Sequence, residues 1–388
     1  MTQYKQRYQL SHHVERIAWT PEALSRDAIS PHGLAVLIDT DYCNKSAAAI
    51  VSPRAARGHF RFELRGNDVS NFTKEYGNLV ILTRDDAGNH TYFRVHQSIL
   101  SKHSKALSDH IFPGSLPSVR DEYDGVPLVE FQEDAKDLNM FLKFLYEPFA
   151  APLQRGDPDI AFKMFGTLKL ADKFLIDPLK DTILSYIRED WPQTLQAWDE
   201  REALYARRLK NCPPQITMDG VAPEPASVIR LARMFEPRLL TIAFYHLSRL
   251  PANSTYGQHN QAPRHARGVR GYLLTPDDRE KVTLGRERMM RWISDRLEAA
   301  QLDTWQCKGD EGCHVHIYWR VVVLHRSIMR TMDVLTTLRL MRSHKVERGT
   351  SEVVEDAVCL DCNARWDQVI NDTRRDFFDS LPAFFPDL

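Results

Sequence analysis

Four cysteines in the C-terminal part of the chain form two pairs whose spacing suits metal binding. Cys307 and Cys313 have five residues between them, and Cys359 and Cys362 have two. Two intervening residues let both thiolates of a pair reach one tetrahedral Zn²⁺ ion. The spacing therefore predicts that these four cysteines form a structural zinc site, which would hold a helical tail together.

The same residues leave other interpretations open. His314 and His316 offer nitrogen ligands in place of a sulfur, and cysteines in a long chain often pack as small hydrophobes. A redox pair at Cys359 and Cys362 is a further alternative. Such a pair places its first cysteine at a helix N-terminus after a strand, which lowers the thiol pKa. Here the preceding residues 353–358 are acidic and predicted to be helical, which opposes a thiolate.

His96 is the candidate for acid–base chemistry. It lies at a predicted strand-to-helix junction, where a ring nitrogen can bond to backbone groups and fix the turn. A general base also needs a positioned partner and a substrate cleft, and the sequence indicates neither. The chain has no P-loop, no dinucleotide-binding glycine motif, no nucleophile elbow and no HExxH motif. We therefore predict that the protein is not an enzyme and has no small-molecule substrate.

The elements around His96 follow an α+β order. Two β-prone runs, residues 79–82 and 91–95, flank a polar turn and predict a hairpin. Helical spacing follows, a third strand is predicted at residues 126–131, and several helices with apolar faces come next. This order predicts a short three-stranded sheet with a cluster of helices, followed by a mainly α-helical C-terminal region.

Residues 93–107 resemble the signature of the BTB/POZ family. In that signature a strand ends in Phe-x-x-His, an aliphatic-Leu pair stands three residues on, and a serine precedes the next helix. The corresponding residues here, with the arginine inside the strand, are Phe93, Arg94, His96, Ile99, Leu100 and Ser104. The resemblance continues through the third strand to residue 190. Segments 228–233, 243–249 and 284–287 are similar to the helical tail of fungal BTB proteins.

The resemblance implies a BTB/POZ fold and a non-catalytic adaptor for protein–protein interaction. The partner it implies is a second copy of the chain or a cullin-type scaffold of a ubiquitin ligase. Cullin docking would use helical surfaces around residues 135–176 and the segment just after residue 190. Dimeric relatives carry an aspartate where this chain has Asn78, near the position of Arg94. Without that charge, Arg94 is predicted to lack this partner, which argues against a homodimer of the relatives' kind.

The pattern along the chain predicts five segments. Residues 1–76 form a poorly structured N-terminal segment, and residues 77–190 form the BTB/POZ domain. A helical extension covers 191–250, a flexible loop covers 251–270, and a helical C-terminal region with the zinc site covers 271–388.

Three local signals sharpen the helix predictions. Asp177, followed by a proline, is predicted to cap the N-terminus of a helix. Pro237 is predicted to break a helix that resumes to about residue 250. The apolar spacing at residues 321–338 predicts one long amphipathic helix.

The charge of the chain is balanced, with 51 Lys plus Arg against 52 Asp plus Glu. Nucleic-acid-binding proteins usually carry a clear basic excess or stripe, so a nucleic-acid partner is not expected. A short basic stretch containing Arg264, His265, Arg267 and Arg270 lies in the polar loop. We interpret it as solvated loop surface.

A transcriptional or chromatin-associated regulator is the alternative function. It requires a DNA-reading element, and the nearest candidate is the group Arg326, Arg330, Arg339 and Arg342. The N-terminus lacks the apolar run of a secretory signal. The densest apolar run, residues 321–324, is far too short to span a bilayer. We therefore expect a cytoplasmic or nuclear protein without a membrane partner.

Overall fold

The computed structural model describes residues 72–73, 77–84, 88–111, 122–148, 153–257, 263–299, 307, 312–341, 358–386 and 388. The N-terminal segment predicted at residues 1–76 lies outside the described residues, apart from residues 72 and 73. Of the residues described, most belong to helices, and one small sheet lies near the N-terminal end. The chain is therefore of the mixed α+β class, as the sequence predicts.

The sheet contains the predicted hairpin and the predicted third strand. Its strands are β1 (Phe72–Thr73), β2 (Leu79–Arg84), β3 (His90–Val95), β4 (Glu122–Tyr123) and β5 (Val126–Phe131). Their spatial order is β1-β3-β2-β5-β4. β2 and β3 pair antiparallel, and β5 lies parallel to β2 on its other side. The sequence predicts three strands. The structure adds two strands of two residues each, β1 and β4, which lie at the edges of the sheet.

Among the residues that the structure describes, five helices complete the first part of the chain. They are α1 (Gln97–His103), α2 (Lys105–Ile111), α3 (Ala135–Tyr146), α4 (Ile160–Lys173) and α5 (Asp177–Glu189). The order of strands and helices is the one that the sequence predicts for residues 77–190.

A first apolar core lies between the sheet and these helices. It includes Phe93 from β3, Leu100 from α1, Phe131 from β5 and Phe141 from α3, all of them buried. The apolar stripe predicted for α3 therefore belongs to the core. The capping prediction for α5 is wrong, because Ile176 is the N-cap residue and Asp177 lies within the first turn.

Within the described ranges, eight further α-helices follow α5. They are α6 (Leu195–Asn211), α7 (Pro225–Phe235), α8 (Leu240–Ser248), α9 (Pro276–Ala299), α10 (Gly312–Thr331), α11 (Val334–Met341), α12 (Leu360–Asp379) and α13 (Leu381–Phe384). The predicted break at Pro237 is confirmed, because α7 ends at Phe235 and a short 3₁₀ turn precedes α8. Proline lacks the N–H that a helix interior needs.

The long helix predicted at residues 321–338 is in fact two helices. α10 ends at Thr331, Met332 adopts a left-handed conformation with φ of 55°, and α11 begins at Val334. Asp333 fixes the break, because one carboxylate oxygen accepts from Thr336 N at 3.2 Å and the other lies 2.7 Å from Arg249. The apolar periodicity continues through the break, so the sequence pattern could not show it.

A second, larger apolar core extends across residue 190. It joins side chains of α4 and α5, such as Met164 and Ile187, to side chains of the later helices, such as Phe244, Ile293 and Phe377. The predicted boundary between a BTB/POZ domain and a helical extension is therefore not a boundary between two cores.

The basic stretch of the loop is not a solvated surface. Arg264 donates hydrogen bonds to backbone carbonyls that follow the end of α6, including Pro213 O at 3.2 Å and Ile216 O at 3.1 Å. Arg270 pairs with Asp159 at 2.6 Å, and His265 alone of the four basic residues is exposed. The interpretation as solvated loop is corrected because these guanidinium groups satisfy carbonyls and carboxylates that folding has removed from water.

Candidate metal centre and interaction surfaces

The four C-terminal cysteines lie close together. The Sγ atoms of Cys307, Cys313, Cys359 and Cys362 all lie within 4.8 Å of one another. Cys307 Sγ and Cys359 Sγ are 3.7 Å apart, which is too far for a disulfide bond of about 2.05 Å. None of these four described cysteines forms a disulfide bond. The structure thus brings together the complete set of ligands that the sequence predicts, and this set could bind a metal ion.

Two helix N-termini position three of these thiols, and Cys307 lies outside the described helices. Cys313 lies in the first turn of α10, Cys359 is the N-cap residue of α12, and Cys362 lies in the first turn of α12. Cys313 begins the buried stripe of α10, which continues with Ile317. Cys362 begins the buried stripe of α12 in the same way. The apolar packing of the two helices therefore determines where the thiols meet.

The surroundings of Cys313 in the cluster oppose loss of its thiol proton. Cys359 N donates a hydrogen bond to Cys313 Sγ at 3.2 Å, which lowers the pKa of the Cys313 thiol. Burial and the neighbouring thiols of Cys307 and Cys359 outweigh that bond, and they raise the pKa of Cys313 to about 12. Buried thiolates repel one another, and a metal ion removes this repulsion because it compensates their charge.

The other ligands that the sequence offers do not join this cluster. Among the described residues, the group of metal-binding side chains at this place consists of the four cysteines alone. His314 is exposed and His316 is half-buried on α10. The redox alternative also needs a strand before Cys359, and that segment, residues 351–357, lies outside the described residues.

His96 lies at the predicted strand-to-helix junction, but its ring makes no capping bond to the backbone of α1; ring Nδ1 instead lies 3.4 Å from Tyr146 Oη. His96 is the N-cap residue of α1, and its backbone N donates to Tyr146 Oη at 2.6 Å. Its carbonyl oxygen accepts from Ile99 N at 3.1 Å. The backbone of His96 therefore fixes the strand-to-helix junction to the end of α3.

Ser104 joins three elements of the first core. Its hydroxyl donates to Phe174 O at the end of α4, and it accepts from Leu107 N at 3.0 Å at the start of α2. Of the remaining signature residues, Phe93 and Leu100 are buried in the first core and Ile99 is half-buried. The signature thus consists of residues that hold the fold together.

Arg94 has a partner within the chain, although the aspartate of the dimeric relatives is missing. Its Nε donates to Gly77 O at 2.9 Å, and its guanidinium lies 3.4 Å from the Asp124 carboxylate. Asn78 accepts a hydrogen bond from Gln97 N at 2.9 Å and so caps α1. The Asn78 side chain therefore forms a hydrogen bond within one chain, at the N-terminus of α1.

Part of the helical surface predicted for docking is covered by the chain itself. Arg230 of α7 lies over the Phe165 ring of α4, with 3.9 Å from its Cζ to the ring centroid. Phe235 contacts the same ring edge-on at 6.2 Å between centroids, and Arg270 lies over Phe162 at 4.5 Å. The later helices therefore occupy one side of α4, and Phe162 remains partly exposed.

The arginine group considered for DNA contact does not form one surface in the described residues. Arg326 and Arg330 are exposed on α10, whereas Arg339 of α11 lies 3.8 Å from Asp199. Arg342 lies outside the described residues. Of the three described arginines, Arg326 and Arg330 are therefore exposed and Arg339 is paired.

A buried ionic cluster was not predicted from the sequence. Glu202 of α6 bonds to both Arg249 and Arg267, and Arg267 also contacts His246 Nδ1 at 3.1 Å. Burial would raise the pKa of Glu202, but the two guanidinium groups outweigh burial and hold it well below its ordinary value. Arg249 and Arg267, the two partners of Glu202, are distant from it in sequence, so no local pattern could have indicated the cluster.

Comparisons of the chain with family models, with curated proteins and with solved structures found no match. Among the described helices, none combines the length and the apolar character that crossing a membrane requires.

Proposed function

We propose that this chain is a non-catalytic adaptor for protein–protein interaction, built around a BTB/POZ-type unit at residues 77–190. The observation that carries the proposal is the arrangement of this unit. A hairpin, a helix pair, a strand parallel to the first hairpin strand and three helices follow in the order that the resemblance implies. The signature residues His96 and Ser104 stabilise the contacts between these elements.

The partner that this proposal favours is a different protein, with a cullin-type scaffold as the first candidate. Asn78 caps α1 and Arg94 pairs with Asp124 within one chain, so neither is committed to a second copy. The docking surface is the part of 135–176 that α7 leaves open. It presents two exposed apolar side chains, Phe162 and Leu175.

Binding to purified cullin N-terminal domains tests the adaptor proposal. The full chain and its Phe162→Ser/Leu175→Ser variant are compared by biolayer interferometry and by light scattering after size exclusion. We expect a heteromeric complex and at least tenfold weaker binding by the variant, because exposed apolar anchors contribute most of the energy of such interfaces. Leu360→Ser, which changes an exposed leucine on α12, is the control. A chain that binds no cullin domain and remains a monomer contradicts the proposal.

We also propose that the four clustered cysteines hold one structural zinc ion. A tetrahedral ion with Zn–S bonds of about 2.3 Å requires sulfur atoms about 3.8 Å apart. The 3.7 Å between Cys307 Sγ and Cys359 Sγ fits this value. Four thiolates leave no open coordination position, which is typical of a structural site and not of a catalytic one. The ion would join the N-terminal turns of α10 and α12.

Native mass spectrometry with and without a chelator tests the zinc site. We expect one zinc ion per chain, lost in the Cys359→Ser/Cys362→Ser variant and retained in Leu360→Ser. Alkylation of the native protein at neutral pH is expected to be slow and to become fast after chelation. Metal-free protein in which Cys359 alone is alkylated fast supports the redox alternative. Metal-free protein with four equally reactive thiols contradicts both.

A further inference from the structure

The outer face of α10 carries apolar side chains where solvent-facing polar ones are usual. Val315, Tyr318, Trp319 and Met329 are 52%, 49%, 48% and 51% exposed, respectively. The opposite face of α10 is buried in the larger core. These four residues and the half-buried Val322 follow a spacing of three, four and seven residues, which places them on one side of the helix. We call this set the α10 stripe.

The α10 stripe has the length and composition of an interaction surface. At 1.5 Å per residue, the distance from Val315 to Met329 is about 21 Å. The Tyr318 and Trp319 rings meet edge-on, with 6.1 Å between their centroids. Tyrosine and tryptophan are enriched at the energetically important positions of protein interfaces. Exposed apolar side chains clustered on one helix face and bordered by polar residues are typical of a binding site, although Arg326 interrupts this set between Val322 and Met329.

A groove adjoins the α10 stripe along the C-terminal half of α9. It has a volume of about 450 Å³, and its apolar lining consists of Leu297, Val321 and Val322. Its polar lining consists of Ser294, Glu298, His325 and Arg326. A groove beside an apolar helix face can receive the apolar side chains of a second helix, which is a common mode of peptide recognition.

The charge of α10 determines which helix fits. Its 20 residues include no aspartate or glutamate. Arg326 and Arg330 are exposed, as is His314 at the other end of the helix. A partner with acidic residues beside its apolar side chains would complement this surface, and a basic partner would be repelled.

We propose that the α10 stripe and its groove dock an acidic amphipathic helix of a partner protein. The partner helix places apolar side chains against Trp319 and in the groove, and its carboxylates face Arg326 and Arg330. A second copy of α10 complements this surface less well, because α10 itself has no carboxylate to place against Arg326 and Arg330. The proposal goes beyond the adaptor function and uses neither the surface at 135–176 nor the cysteine thiols.

Selection from a phage-displayed library of random 20-residue peptides tests this inference on the full chain. We expect the enriched peptides to have a net negative charge and apolar residues at helical spacing. The tightest peptide, synthesised with a fluorescent label, is then measured by anisotropy. Trp319→Ala is expected to weaken its binding at least tenfold. Arg326→Glu/Arg330→Glu is expected to weaken it similarly, and added salt should weaken wild-type binding.

Two controls separate loss of binding from loss of structure. Tyr272→Ser changes an exposed aromatic residue outside α10 and is expected to bind the peptide as the wild type does. The zinc content and the thermal midpoint are measured for every variant. Loss of zinc or of folding is thereby distinguished from loss of peptide binding. Enriched peptides that are basic, or whose affinity Trp319→Ala leaves unchanged, overturn the proposal. Trp319-dependent dimerisation, or Trp319-dependent binding to phosphatidylserine vesicles without peptide binding, overturns it as well.

Discussion

Ser104 shows how much one side chain can contribute to this fold. Its hydroxyl is buried, donates to Phe174 O and accepts from Leu107 N. It therefore connects the junction of α1 and α2 to the end of α4, 70 residues further along the chain. A sequence motif can name such a serine, but only the structure identifies the carbonyl it reaches.

Replacing Ser104 with alanine is expected to lower the free energy of unfolding by about 1–3 kcal/mol, because a buried carbonyl and a buried N–H lose their partner. Urea unfolding monitored by circular dichroism measures this change. Ser98→Ala, at an exposed position of α1, is the control and should stay within about 0.5 kcal/mol of the wild type. Equal stability of the two variants would refute the importance of the Ser104 bonds.

His246 is a buried histidine in the ionic cluster of Glu202, Arg249 and Arg267. Burial, followed by the positive charges of Arg249 and Arg267, holds the pKa of His246 well below its ordinary value, although Glu202 acts in the opposite direction. The folded chain therefore keeps the imidazole neutral at a pH where the unfolded chain protonates it.

The stability of the protein should consequently fall as the pH decreases below about 6.5, the ordinary pKa of histidine. In that range the unfolded state binds one proton more, so the free energy of unfolding decreases by up to about 1.4 kcal/mol per pH unit. Urea unfolding between pH 7.5 and 5 measures the slope. His246→Gln should reduce it, and His265→Gln, at an exposed position, should not. An unchanged slope in His246→Gln would exclude this histidine as the cause.

At the scale of elements, the connection between α4 and α5 combines a common motif with an unusual residue. Ile176 N bonds to Ala171 O at 2.8 Å and Leu175 N bonds to Asp172 O at 3.1 Å, which is the Schellman pattern of a helix C-terminus. Leu175 occupies the left-handed position of this motif, with φ of 53°, where glycine is usual. Its side chain is 70% exposed, so little packing offsets the strain.

Leu175→Gly is expected to raise the free energy of unfolding by about 0.5–1 kcal/mol. The left-handed conformation costs about 1–2 kcal/mol for a residue with a Cβ atom, and the greater freedom of glycine in the unfolded chain removes part of the gain. Leu175→Ala keeps the Cβ atom and should show no gain in the same urea titration. A destabilised glycine variant would mean that the leucine side chain is important for packing.

At the scale of the whole molecule, Arg374 connects helices that lie far apart in the chain. It belongs to α12, is buried, and donates to Leu335 O in α11 at 2.9 Å. Its guanidinium also bonds to the Asp199 carboxylate of α6 through two nitrogens. One side chain thus joins three helices around the larger core.

Arg374→Met should lower the free energy of unfolding by about 2–4 kcal/mol, because the Leu335 carbonyl and the Asp199 carboxylate lose their donor. The neighbouring Arg375 is 65% exposed and pairs only with the nearby Asp372 at 3.4 Å among the described residues, so Arg375→Met is a matched control with an expected change below about 1 kcal/mol. Thermal and urea unfolding of both variants measure the difference. Similar losses in the two variants would show that the contacts of Arg374 contribute no more than a surface pair.

The amino-acid sequence by itself determined the features whose signal is local. The hairpin, the strand at 126–131, the stripe of α3 and the break at Pro237 each follow from a few consecutive residues, because strand alternation, helical spacing and proline act over such distances. The spacing of the cysteines also identified all four members of the thiol cluster, although it could not show that the two pairs meet.

Only the tertiary structure decided the features that join distant residues. The break before Asp333 depends on Arg249, and the larger core extends across residue 190. The arginines of the loop are half-buried because Glu202, Asp159 and backbone carbonyls accept hydrogen bonds from them. A buried charge or carbonyl requires a partner, but the sequence does not show which of many residues will be brought to it. The tertiary structure also decided that the α10 stripe is exposed, because its apolar periodicity alone predicts a buried helix face.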